Sequence, residues 1–399
     1  MKIKNVEVYF SVLLFGLTYC ILAMPSIFMR GRFFDEYGFF ENGNAKEQFF
    51  LLIVLYLTLF FLVFLSQTNK FVRVPRISIP FGNALLFCLY LSVYVCCFFD
   101  FTIRNSFQLY FTTNFSSALS TIGYFVAHSS SKFSFGYIYI SSFIFFVFVT
   151  NLRSSVVIRF ISFLIININV VLLLLSGRKE QAITAICILL LFYKIKFRLR
   201  FRNIVIFSTP LLLAISICLN YVRGDISKKP IIDVLFYSQE SYPVILGTYL
   251  PFMVDLSNKL WSFSDSLSSF LATTFPFRFG MQQNAVDYIN ETIFHEFGYG
   301  VVMSVFGYIY LYFPFSLIVV YLLFYCTNVI INSIRLIDGN FFVFSFYFFV
   351  KIFFLLRNGV VANYIFDVLV LIIFCFPLFL FKEKRGDDVI GINLRTVTL

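Results

Sequence analysis

The chain has 399 residues, 60% of them hydrophobic, 21% aromatic and only 13% charged, with mean hydropathy +0.89 and net charge +11. Soluble domains carry about 25% charged residues, so this composition excludes two or three water-soluble domains. The lysines and arginines lie in short loops between apolar runs, the positive-inside pattern of a membrane protein rather than the footprint of a nucleic-acid binder.

In chain order, Met1-Lys2-Ile3-Lys4 opens an apolar run to about Phe28. It is too long for a secretory leader and lacks a small-residue cleavage site, which predicts a retained first helix. Runs long enough for ~30 Å of hydrocarbon predict spans near 6–28, 49–66, 83–100, 134–150, 156–175, 181–193, 203–220, 298–331, 340–356 and 359–381. The sixth is short and borrows flanking residues. The eighth contains Pro314 and is expected to be strongly tilted or broken in two. In 107–127, Phe107, Phe111, Phe115, Ala118, Ile122 and Val126 fall at helical spacing on one face, with Thr and Ser on the rest, which fits an interfacial amphipathic helix.

If 107–127 does not span, both termini and nearly every basic loop fall in the cytoplasm: Lys70/Arg73/Arg76, Arg153/Arg159, Lys194–Arg202 and Lys382–Arg385. The fold class is therefore all-α, a polytopic membrane protein of about ten helices, with eleven or twelve as the alternative. Its regions are 1–220 with about seven helices, a large periplasmic loop at 221–296, about three helices in 297–381, and a cytoplasmic tail at 382–399. The loop holds eight acids against five bases and the only tryptophan, Trp261. A loop this long is functional or disordered, and its aromatic and proline content points to a folded one. All eight cysteines fall in apolar segments, as buried small hydrophobes.

The cations at the outer face have no explanation in the positive-inside rule. They are Arg178, Lys179, Arg223, Arg278, and Lys351 with Arg357. Taken singly, each is an interfacial cation reaching for headgroups; together they have the composition that binds a diphosphate. The acids are Glu180, Asp225, Asp287, Glu291, Glu296 and, inside a span, Asp367 with Asn363 one turn away. Asp287, Glu291 and His295 share a face if that stretch is helical, and any of them or Glu296 is a candidate base. His295 comes first, because an imidazole titrates near working pH. Asp367 serves either a functional role or an interhelical hydrogen bond. Two distant histidines, His128 and His295, with no HExxH and no Cys/His cluster, give no basis for a metal, and no nucleotide or dinucleotide motif is present.

Three segments resemble bacterial O-antigen polymerases of the Wzy type. Leu175-Ser176-Gly177-Arg178-Lys179-Glu180 resembles their S-G-x-R segment, and His295-Glu296-Phe297-Gly298-Tyr299-Gly300-Val301-Val302 with Gly307 looks like their entry to a late helix. Phe354-Leu355-Leu356-Arg357-Asn358-Gly359 looks like the L-R-G start of the terminal helix, with Asn358 interrupting the R-G; Lys179 stands where a small residue is common. The resemblance implies a cofactor-free, metal-independent glycosyltransferase at the periplasmic face of the inner membrane. It would move a growing chain from undecaprenyl diphosphate onto the next lipid-linked oligosaccharide. Its partners are the lipid-linked substrates and the bilayer, with a chain-length-regulating membrane protein as a candidate. Arg178, Lys179, Arg223, Arg278 and Arg357 would hold the diphosphate and sugar. The alternatives are an O-antigen ligase and a flippase or transporter of the same lipid-linked sugars, against which the long external loop speaks.

Overall fold

The computed structural model describes residues 6–20, 45–75, 77–79, 81–100, 108–114, 117–118, 121–122, 132–151, 154–176, 179–197, 263–275, 304–337, 343–359 and 361–383. Apolar sequence that must satisfy its own backbone away from water folds as helix, and the described chain is mostly helical. The first helix, α1 (Val6–Phe15), runs into a π-helical turn at Gly16–Cys20, and α2 (Ala45–Leu65) follows. A Cβ on Gly16 would collide with the Tyr56 ring, so these two helices approach as closely as a glycine permits. Then come β1 (Ile77–Ile79), α3 (Gly82–Phe98), α4 (Lys132–Thr150), α5 (Val156–Leu175) and α6 (Lys179–Phe197). The remainder is α7 (Phe263–Thr274), α8 (Val305–Leu311), α9 (Phe315–Ile337), α10 (Val343–Asn358), α11 (Val361–Leu380) and β2 (Phe381–Glu383).

Among the described residues, three helices, α5, α9 and α11, are long and apolar enough to cross a membrane, and shorter apolar helices occupy α2, α3, α4 and α6. The sixth helix does extend past its apolar stretch, to Lys179 and Phe197. The long eighth apolar run is broken: α8 ends at Leu311, a turn spans Tyr312–Pro314, and α9 starts at Phe315, because proline supplies no N–H to continue the ladder. Among the described residues of 107–127, the predicted amphipathic helix is interrupted. Residues 108–112 are helical, Thr113 and Asn114 are not, and Phe111 is 90% exposed while Ala118 and Ile122 are buried. The Thr112, Thr113 and Thr121 hydroxyls bond backbone carbonyls one turn earlier, a local competition that shortens helices. Span 203–220 and the loop boundaries lie outside the described residues. Of the cysteines, Cys20, Cys97, Cys187 and Cys375 are buried, whereas Cys88, Cys96 and Cys326 lie on exposed helix faces.

Helix α10 is the hub: every residue from Val343 to Leu356 is buried. It packs on α1, α6, α4, α11, α8 and α9, and Ser11 donates to the Phe349 carbonyl at 3.1 Å. Polar side chains tie neighbouring helices. Asn169 of α5 accepts from the Tyr94 hydroxyl at 2.8 Å and donates to Ser141 of α4 at 3.0 Å. Asn328 of α9 donates to the Ser66 carbonyl at 3.0 Å and Asn332 to Thr68 at 2.9 Å. At Pro377 in α11, the Tyr90 hydroxyl enters the helix ladder, donating to the Phe374 carbonyl at 2.8 Å and accepting from the Leu378 N–H at 3.2 Å. It thereby bridges a backbone pair that would otherwise bond within the helix.

These contacts fix two ends. Strand β1 pairs in parallel with β2, Ile77 opposite Phe381, so the start of α3 and the end of α11 are together. The end of α9 joins them through Thr68 and Val72. The opposite end gathers the end of α3, where Asp100 accepts from Ser134 at 2.8 Å, with the start of α4, the end of α5 and the start of α6.

Candidate functional site

At this second end the starts of α6 and α11 meet the last two turns of α10. Helix α10 stops at Gly359, whose φ of 70° lets the chain turn in a left-handed conformation that side chains resist, while its N–H bonds the Leu355 carbonyl at 2.8 Å. The turn that reverses the chain into α11 is thus the Arg357-Asn358-Gly359 sequence itself.

Lys351 lies two turns inside α10 with its side chain 9% exposed. An ammonium in that position requires counter-charges, and two helices supply them. Glu180, in the first turn of α6, pairs with Nζ through Oε1, and Asp367, in the second turn of α11, pairs through Oδ2 at 2.8 Å. The remaining side of the ammonium faces aromatic rings: Tyr139 of α4 has its centroid 4.4 Å away and Tyr347 5.8 Å away, within cation–π range. A shell of hydroxyls holds the arrangement. The Tyr347 hydroxyl donates to the Asp367 carbonyl at 2.8 Å, and Thr184 Oγ1 lies 2.7 Å from the Tyr139 hydroxyl and 2.8 Å from the Glu180 carbonyl. Nearby, Tyr364 and Thr327 bond through their hydroxyls at 2.8 Å. The Lys351 ammonium thus ties α6, α10 and α11 together by charge at one level of the bundle.

No protein-family model, curated protein or solved structure matches this chain. The site is therefore read from its own residues. Arg357 is half-buried in the last turn of α10, and its Nη1 donates to Asn358 Oδ1 at 2.9 Å. Lys179 is the first residue of α6. Arg178, Arg223, Arg278, Asp287, Glu291, His295 and Glu296 lie outside the described residues. Among the described residues, no group of three or more His, Cys, Asp or Glu side chains is placed to hold a metal.

The convergence of Glu180, Lys351 and Asp367 is the feature that reading the segments one by one missed. The sequence groups Lys351 with the outer-face cations; in the structure it is enclosed and paired. The signal was present, since a lysine in the middle of an apolar helix needs a carboxylate at its own depth, and Asp367 lay in the next span.

Proposed function

We propose that this chain is a glycosyltransferase of the O-antigen-polymerase type, joining undecaprenyl-diphosphate-linked oligosaccharide units at the outer face of a bacterial inner membrane. One observation carries the reading. The segments Leu175–Glu180 and Phe354–Gly359, which resemble two signature segments of that family, lie at the same end of the bundle. Lys351 and Glu180, 171 residues apart in sequence, pair directly between them. In this reading the chain crosses the bilayer about ten times, the basic end faces the cytoplasm and 221–296 is periplasmic. Arg357, with Arg178, Arg223, Arg278 and Lys179, holds the diphosphate, whose departure needs stabilised negative charge rather than a strong acid. Guanidinium forks suit two phosphate oxygens better than ammonium points do.

The test is polymer formation by the purified full chain in proteoliposomes supplied with lipid-linked repeat units. A ladder of lengthening lipid-linked products supports the reading, and its absence at good expression removes it. The charged triad inside the helices also favours a second reading, a transporter of the same lipid-linked sugars driven by a proton, because buried ionisable residues line such paths. Movement of the units across the membrane without elongation would select that reading.

A further inference from the structure

Helix α7 lies within 221–296, yet its polar and apolar sides are reversed from those of a helix washed by water. Ser269, Thr273 and Thr274 are buried. The Ser269 hydroxyl lies 2.7 Å from that of Tyr312 and the Thr274 hydroxyl 2.7 Å from that of Tyr308, while Thr273 Oγ1 donates to the Ser269 carbonyl at 2.8 Å. The Phe270 ring meets Tyr312 edge-on, centroids 5.4 Å apart, and reaches Phe315 at 6.2 Å. The outer side is apolar instead. Leu267 is 50% exposed and Phe275 48%, with Leu271 partly exposed between them, all at one-turn spacing on a single face. A helix at a water surface turns its hydroxyls out and its leucines in. Hydroxyls paired between helices, with apolar side chains outside, are what hydrocarbon demands, because polar groups there find partners only within the protein.

The neighbours of α7 have the same character. It packs on α11 and, through Phe270, lies beside the start of α9; both are long and apolar enough to cross a membrane. On α9, Phe315, Ile318 and Leu322 stand exposed at helical spacing on one face, so the outer stripe of α7 adjoins the exposed row of a spanning helix.

We propose that α7 is seated in the bilayer with Leu267, Leu271 and Phe275 against acyl chains, so that part of 221–296 belongs to the membrane rather than to the water outside it. Its 12 residues rise only about 18 Å, well short of ~30 Å of hydrocarbon, so α7 occupies one leaflet. That leaflet is the one away from the strand end, because α9 reaches the strand end with its other terminus, through Asn332 and Ser333. The polar first turn, Ser264-Asp265-Ser266, lies at the headgroups and the apolar stripe follows it inward. In this seat α7 shields the Tyr308 and Tyr312 hydroxyls from acyl chains. The seat does not depend on glycosyl transfer.

Trp261 is the only tryptophan, so the full chain carrying Trp261→Phe is a silent background for Leu267→Trp, Phe275→Trp and, as a reference on α9, Ile318→Trp, each introduced alone. The three chains are reconstituted in phosphatidylcholine vesicles with and without bromine on the acyl chains, and iodide serves as the aqueous quencher. Brominated lipid should quench the emission of Leu267→Trp and Phe275→Trp as strongly as that of Ile318→Trp, and iodide should spare all three. Quenching of the two α7 tryptophans by iodide and not by bromine overturns the proposal, since α7 then lies in water. Protection from both quenchers also overturns it, because a protein surface such as a second copy of this chain would then cover the stripe. Phe275→Trp exchanges one aromatic ring for another, so it decides the outcome if Leu267→Trp disturbs the fold.

Discussion

Lys351 concentrates the energetics of the site in one side chain. Its ammonium is enclosed, and two carboxylates from other helices converge on it. Removing one partner of a buried ionic cluster typically costs about 3–5 kcal/mol, because the partners left behind are uncompensated. Lys351→Met should therefore lower the thermal unfolding midpoint of the detergent-solubilised protein markedly. Adding Glu180→Gln and Asp367→Asn to it should restore most of the loss, and failure of that rescue would mean that packing, not charge, is what Lys351 supplies. Tyr90 offers a neutral counterpart. Its hydroxyl serves the Phe374 carbonyl and the Leu378 N–H beside Pro377, so Tyr90→Phe removes this bridge between helices and should cost about 0.5–1.5 kcal/mol in the same measurement. Neither partnership could be read from the sequence. Composition identifies a charged or hydroxyl-bearing residue in an apolar helix as needing a partner, but choosing that partner requires knowing which helices adjoin. Glu180, Lys351 and Asp367 were each legible as unusual residues; their meeting was not.

At the level of elements, apolar length located the described helices except α7, which lies within 221–296, because hydrocarbon leaves the backbone few other conformations. The helix boundaries were less legible, being set by single residues. Pro314 made a break in the eighth run foreseeable, and it lies between α8 and α9. Thr113 and Asn114, by contrast, interrupt a stretch whose spacing alone favoured one helix. Periodicity also fails to rank the helices by burial: lipid-facing and core-facing positions are both apolar, so nothing in the composition marks α10 as the hub or α5 as a peripheral helix. Two glycines set element geometry. Gly359 closes α10 in the left-handed region, where an L side chain costs roughly 1–2 kcal/mol. Gly359→Ala should lower stability by about that amount and, by displacing Arg357, reduce polymer formation more than the stability loss explains. Normal activity at reduced stability would separate the turn from the site. Gly16→Ala meets the Tyr56 ring, and forcing extra volume into a packed contact costs about 1–3 kcal/mol. The paired change with Tyr56→Ala should recover part of that cost, which thermal unfolding of the three variants measures.

Across the whole molecule, charge differs between the two ends of the bundle among the described residues, and the proposed orientation rests on that difference. Strand pairing and the short α4–α5 connection bring together the end carrying Lys70, Arg73, Arg159, Lys194, Lys196, Arg335 and Lys382, with Glu7 and Glu383 as the acids there among the described residues. The opposite end carries Lys46, Lys132, Lys179 and Arg357, plus Lys351, which is neutralised within the triad. It also carries Glu47, Asp100, Glu180, Asp265 and Asp367. Orientation follows the lysines and arginines in short loops, and these favour the strand end as cytoplasmic. In the proposed reading the triad faces outward, where lipid-linked units would be joined. Reporter fusions test the orientation directly. A fusion after Lys70 should fluoresce as a cytoplasmic reporter, whereas one at Lys132 should give the alkaline phosphatase activity of a periplasmic one. Fusion at Trp261 should also report the periplasm if 221–296 is the external loop. The Lys70 and Lys132 positions flank α3, whose two ends lie at opposite ends of the bundle, so the same report from both would mean that α3 does not cross. Opposite reports with the signs exchanged would place Asp367 and Arg357 in the cytoplasm, and the polymerase reading would fall with the orientation.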